Sequence, residues 1–234
     1  VSGFASNFML AMNPQIVKTY AGGELDQTKI LMARGGLLSF ALMWLFALPL
    51  MLEVEFVLDI WLDDVPEYTA PYVVMALIFS LIQTLYSSVN IGIHATGRIK
   101  GLSFIGGSML MAGVLISYVM MRFVDNLLIP FMVNILIVAA SAIVNLYLLR
   151  HEMSEFDVRS YIKDVYLKSF MIILVTLPLP LALHLVLGHG IVSSLLVISV
   201  SVLCVSAALY FMVLSVSERK SLNEAVRNKL RKNA

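Results

Sequence analysis

Between residues 83 and 94 four side chains able to hydrogen-bond, Gln83, Ser87, Asn90 and His94, recur at steps of four, three and four. That spacing places them on one face of a helix. Asn134, Ser141 and Asn145 repeat the pattern at steps of seven and four. Amides, hydroxyls and an imidazole in line can donate and accept hydrogen bonds to a neutral, hydroxyl-rich ligand, or to one another between helices. His94 adds a group that titrates near neutrality, which fits a proton carrier as well as a structural hydrogen bond.

A second cluster is acidic. Glu53, Glu55, Asp59, Asp63, Asp64 and Glu67 fall in the stretch EVEFVLDIWLDDVPEY, which holds no Lys or Arg. Asp63, Asp64 and Glu67 have the chemistry to coordinate Mg²⁺ or, through it, a diphosphate. Pro66 breaks the helix such a carboxylate array needs, so a solvated acidic loop is the expected form. His184 and His189 have no Cys or carboxylate at ligand spacing in the sequence, so no metal ligand set is expected. The single Cys204 has no disulfide partner.

The elements that position these residues follow from composition. The chain of 234 residues is 60% hydrophobic and 13% charged, with a mean hydropathy of +0.91. Those values exclude an ordinary soluble domain. A membrane-crossing helix needs about 20 apolar residues, and stretches near 30–52, 70–93, 101–121, 127–149 and 190–215 supply them. A sixth, near 165–187, carries Pro178 and Pro180. The opening VSGFASNFMLAMNPQIV reads as the end of a further span, and the whole as the C-terminal piece of a longer protein. Lipid permits only helices or closed barrels. The spans lack the two-residue alternation of barrel strands, which predicts an all-α, polytopic helix bundle.

Charge fixes the expected orientation. Following the chain through these spans, Lys18, Lys29, Arg34, Arg98, Lys100, Arg150, Arg159, Lys163, Lys168 and the six bases of the tail fall on one side. Only Arg122 falls on the other. Basic loops stay in the cytoplasm, so the acidic segment is expected outside and the C-terminus inside. Val54 to Leu62 suit a short interfacial helix with Trp61 at headgroup depth.

Three domains are expected: a bundle over 1–150, an amphipathic linker on the inner leaflet over 151–168, and two further helices with a basic tail over 169–234. In the linker Val158, Tyr161, Ile162 and Val165 share a face behind a capping-box-like Ser154-x-x-Asp157. The tail SERKSLNEAVRNKLRKNA suits contact with anionic lipid; it has no fold or stacking aromatics for nucleic acid. Asn13-Pro14 and Pro49 are expected to bend or end their helices, and Gly106-Gly107 to allow close helix approach. The two polar stripes either line one hydrated cavity or tie helices together, each interhelical bond then contributing about 0.6 to 2 kcal/mol.

Several stretches together resemble bacterial polysaccharide transporters, the O-antigen and lipid-linked oligosaccharide flippases of the MATE-like superfamily. They are Asn13-Pro14-Gln15-Ile16-Val17-Lys18 with Thr19-Tyr20-Ala21-Gly22-Gly23, then Ala47-Leu48-Pro49, then Phe56 to Leu62 running into Val65-Pro66-Glu67-Tyr68-Thr69, then Ala95-Thr96-Gly97-Arg98-Ile99-Lys100. The resemblance covers most of residues 1–168. It implies two six-helix lobes around a central cavity, of which this chain would supply an incomplete second lobe plus two extra C-terminal helices. It also implies alternating access for an undecaprenyl-diphosphate-linked oligosaccharide. Gln83, Ser87, Asn90, His94, Asn134, Ser141 and Asn145 would then face the sugar. Lys18, Arg34, Arg98 and Lys100, at the cytoplasmic mouth, would attract the diphosphate or serve only as topology determinants.

No Asp or Glu is expected deep in a span, and no Gly-rich phosphate loop, HExxH or Ser/His/Asp grouping appears. A transporter without cofactor is therefore expected rather than an enzyme. A drug or cation exporter of the same fold is the nearest alternative. A membrane glycosyltransferase or polymerase acting on the same lipid carrier is the remaining one.

Overall fold

The computed structural model describes residues 2–188, 190–215, 218–220 and 223–224. Among them every regular element is helical: α1 (Ser2–Ala21), α2 (Leu25–Leu52), α3 (Val54–Trp61), α4 (Thr69–Ala95), α5 (Lys100–Phe123), α6 (Ile129–Glu152), α7 (Val158–Tyr161), α8 (Lys168–Thr176), α9 (Pro178–Leu187) and α10 (Ile191–Ala208). A π-helical turn, Ile162–Leu167, joins α7 to α8, and a second, Leu209–Val213, continues α10. Six helical stretches are long and apolar enough to cross a membrane: α2, α4, α5, α6, Val158–Leu187 and Ile191–Val213. The protein is an all-α, multi-pass membrane bundle.

Helix α2 is its axis. In its apolar window 61% of residues are buried inside the protein, against 6% for α5. Small residues make this position possible, since Gly35, Gly36, Ser39, Ala41 and Ala47 are all buried and let neighbours approach closely. Helices α1, α4, α8 and α10 pack around it; α6 packs on α4, and α5 on α6. Two apolar cores result. One, toward the acidic loop, gathers Phe40, Met43, Trp44, Leu48, Leu77, Leu81, Ile172 and Val205. The other, toward the basic loops, gathers Ile16, Met32, Val89, Ile93, Leu149, Tyr161 and Val165.

Two expectations change. The segment 151–168 does not stand apart from the helices around it: α6 runs to Glu152, and from Val158 the chain is helical into the next long apolar stretch. Val158, Tyr161 and Val165 do share a face, but it is buried against the bundle because the Tyr161 hydroxyl finds partners there, Ser88 Oγ and the Leu85 carbonyl. Ile162 is exposed. The helix start is capped by Asp157, whose Oδ1 accepts the Arg159 N–H at 2.9 Å, and Ser154 takes no part.

Gly106 and Gly107 are the second change. Among the described residues a methyl group on either would meet nothing within 4 Å, so neither marks a helix crossing within them. The close approaches lie elsewhere. A methyl on Gly36 would stand 2.9 Å from both Ser88 Oγ and Tyr161 Oη, and one on Gly92 would meet the end of Met32 at 2.5 Å. At the prolines, α1 continues through Pro14 to Ala21, while α2 ends three residues after Pro49.

Overpacking a fixed hydroxyl pair costs about 1–3 kcal/mol, so Gly36→Ala is predicted to lower the thermal unfolding midpoint in detergent. Gly106→Ala should leave it unchanged or raise it by the helix-propensity gain of up to about 1 kcal/mol. Equal midpoints for the two variants would refute the packing assignment.

Candidate functional site

A polar groove lies between α1 and α4. Ser6 and Asn13 from α1 face Ser80, Gln83, Thr84 and Ser87 from α4 across a groove of about 290 Å³, floored by Ala5, Met9, Leu10 and Ile91. The α4 residues recur every three or four positions, so one helical face delivers all of them. Three of the hydroxyls are spoken for by their own helix: Ser80 donates to the Ala76 carbonyl, Thr84 to Leu81 and Ser87 to Thr84. Such back-bonding leaves their acceptor lone pairs available. Gln83 is exposed, its amide beside the Tyr86 hydroxyl. The Asn13 amide takes no hydrogen bond among the described residues. An amide left unpaired in hydrocarbon costs several kcal/mol. The groove therefore needs water or a polar ligand against it.

Of the residues singled out in sequence, only Gln83 and Ser87 line this groove. Asn145 is buried, and its Nδ2 donates to Asn90 Oδ1 at 2.9 Å, a tie between α6 and α4. Asn134 turns the other way and borders a shallow cleft with Gly113, Ser117 and Ile137 of α5 and α6. Ser141 Oγ lies 3.5 Å from the Met109 sulfur. His94 is exposed in the last turn of α4. Among the described residues the two stripes thus do not meet in one pocket. Helical spacing shows which residues share a face, but helices cross at an angle, so one face meets different neighbours along its length. Ser80 and Thr84 extend the same periodicity by one turn and were readable from it. Ser6 and Asn13 needed the knowledge that α1 packs on α4.

The four basic residues do not converge. Lys18 and Lys100 are exposed at the end of α1 and the start of α5. Arg98 pairs with Glu152 at 3.6 Å, at the end of α6. Arg34 lies 3.8 Å from Glu218 and borders a pocket between α2, α7 and the second π-turn. Hydrogen bonds from the side chain and backbone of Ser215 hold the Glu218 carboxyl below its usual range, and the Arg34 charge lowers it further. Of the basic tail, residues 225–234 lie outside the described residues.

One pairing escaped the sequence reading. Glu53, at the junction of α2 and α3, is only 6% exposed, and its Oε1 lies 2.8 Å from Nδ1 of His184 on α9. The acidic stretch is therefore solvated at Asp63, Asp64 and Glu67, which are exposed, but not at Glu53. The pair borders a pocket of about 850 Å³ with Glu55 and Asp59 on its rim. Among the described residues no three His, Cys, Asp or Glu side chains are placed to hold a metal ion. His189 lies outside the described residues.

Comparison with protein-family models, with curated proteins and with solved structures found no match.

Cysteine at Gln83 or Ser87 is predicted to react with a water-soluble maleimide in intact membranes, whereas cysteine at Asn145 stays protected. Protection at all three positions would show a dry contact in place of the groove. At the acidic end, His184→Ala leaves the Glu53 carboxylate without this partner and should cost about 1–3 kcal/mol of unfolding stability. Adding Glu53→Gln should recover part of that loss. A double-mutant cycle with no coupling would dismiss the pair as a tie.

Proposed function

We propose that this chain is part of a transporter that moves an undecaprenyl-diphosphate-linked oligosaccharide across the bacterial inner membrane by alternating access, for polysaccharide assembly. The observation that carries the reading is the α1–α4 groove, where amides and hydroxyls line one face of a helix long and apolar enough to cross a membrane, a setting in which lipid alone would not satisfy them. A glycan headgroup presents many hydroxyls, and side chains such as Gln83, Ser87 and Asn13 match those in both donor and acceptor character. The lipid tail would stay in the bilayer while the headgroup follows the groove. A facing lobe of the same protein would close it.

Orientation follows from the basic loops, which belong in the cytoplasm together with the C-terminus. Arg98, Lys100 and Lys18 then stand at the cytoplasmic ends of α4, α5 and α1, where a diphosphate arrives. A cation exporter of the same architecture is less well supported, because no carboxylate lines the groove. An enzymatic role is also less well supported: Asp63, Asp64 and Glu67 are exposed, away from the groove. The reading needs no cofactor.

In cells that depend on the full-length protein, Gln83→Leu combined with Ser87→Leu should cut export of lipid-linked glycan at least about tenfold, since two ligand hydrogen bonds are lost. Asn134→Leu should leave export near normal at equal membrane abundance. Export unaffected by the double substitution would sink the proposal. Loss of glycan assembly on replacing Asp63, Asp64 and Glu67 by Asn, Asn and Gln would favour the enzyme instead.

A further inference from the structure

At the basic end of the bundle a second pocket, of about 440 Å³, lies between one face of α2, the α7 segment and the end of the last span. Its size is that of a small-molecule site. Both π-helical turns of the described chain border it, through Asp164 on the first and Met212 and Val213 on the second. Such turns occur frequently at functional sites.

The pocket is amphipathic, with Lys29, Arg34 and Asp157 among its charged residues and Leu37, Met212 and Val213 among its apolar ones. Its level in the membrane follows from α2, whose 28 residues span about 42 Å against about 30 Å of hydrocarbon. Lys29 and Arg34 stand in the early turns of that helix, at headgroup level and its boundary.

Arg34 has donors to give. Glu218 is 3.8 Å away, too far for a hydrogen bond, and 58% of the Arg34 side chain is exposed. Among the described residues its guanidinium donates no hydrogen bond. A planar fork of N–H groups at headgroup level matches a phosphate. Lys29 is held by Asp26, which is 93% exposed, and so open a pair contributes little and is readily exchanged. Asp157 uses Oδ1 to cap α7, and among the described residues its Oδ2 accepts nothing. Lys168 is already held by Asp164 at 2.8 Å. The pocket therefore offers both signs of charge side by side. A headgroup with negative charge alone would lie against Asp157 and Asp164. A choline headgroup has no N–H to donate.

We propose that this pocket binds the headgroup of a zwitterionic aminophospholipid, its phosphate on Arg34 and Lys29, its ammonium on Asp157 and its chains along Leu37 and Val213. The site is separate from the α1–α4 groove and does not rest on the transport reading.

The test offers the purified, delipidated full chain lipids of one acyl composition with ethanolamine, choline or glycerol headgroups, and measures retained lipid by native mass spectrometry. The ethanolamine lipid should be retained about tenfold over the choline lipid, the ratio expected for one charge-assisted hydrogen bond. Arg34→Gln should lower its retention and Asp157→Ser should erase the headgroup preference; serine keeps an oxygen for the Arg159 N–H, so the helix start survives. Thermal unfolding in detergent verifies that both variants fold. Arg34→Lys, which keeps the charge but loses the fork, should give an intermediate retention and reads the same point if the glutamine variant does not fold. Equal retention of the three headgroups, preference for glycerol, or full retention by the folded variants would overturn the proposal. Soluble glycerophosphoethanolamine at matching concentration should fail to displace the lipid. If it succeeds, the ligand is a soluble phosphate ester and the lipid assignment falls.

Discussion

Polar groups cannot be left unmatched in hydrocarbon, and the way this chain meets that requirement organises the bundle around α2. Alongside it, the Ser88 and Tyr161 hydroxyls meet beside Gly36, Trp44 Nε1 donates to Thr176 Oγ1 at 2.9 Å, and Glu53 meets His184. Each contact joins residues far apart in sequence, and each is worth more here than on a wet surface because the alternative is an unpaired group in a low dielectric. Apolar packing alone would discriminate poorly among neighbours, since lipid tails are as apolar as the side chains. Hydroxyl, indole and carboxylate partners choose which helices adjoin. Two buried hydroxyls, Ser39 and Ser169, fall outside the scheme with no partner among the described residues.

The three ties also change how the last third of the chain is understood. Gly36, Trp44 and Glu53 follow one another along α2, and their counterparts Tyr161, Thr176 and His184 follow in the same order along the helix from Val158 to Leu187. The two helices therefore run side by side in the same sense, in contact at the middle of α2 beside Gly36 and hydrogen-bonded at Trp44 and at Glu53 just past its end. The final span, Ile191–Val213, packs against this pair. Both of the last two long helices thus pack on α2.

Hydropathy and helical period made the class and most span limits legible, because both depend on local composition. The spans read at 70–93, 101–121 and 127–149 match α4, α5 and α6 closely. Partnership was less legible. Asn90 and Asn145 were visible as polar positions, yet nothing local distinguishes an amide bonded across two helices from one facing a groove. The pair Glu53 and His184 was hidden by its separation in sequence and by the neighbouring acids, which made Glu53 read as one charge of a solvated run. Gly106-Gly107 illustrates the converse: a small-residue pair permits close packing, but among the described residues α5 has no neighbour there to exploit it. In the groove, Gln83 and Ser87 were legible from periodicity, whereas Asn13 gained meaning only from the packing of α1 on α4.

The buried indole of α2 has a spectroscopic corollary. The chain has two tryptophans, and they sit in opposite surroundings: Trp44 is 4% exposed and hydrogen-bonded to α8, while Trp61 on α3 is 79% exposed. Their fluorescence is thus two separable signals in one unlabelled protein. A cationic collisional quencher such as caesium, drawn to the surrounding carboxylates, silences the emitter at the acidic end, and the residual band reports on the surroundings of the buried indole.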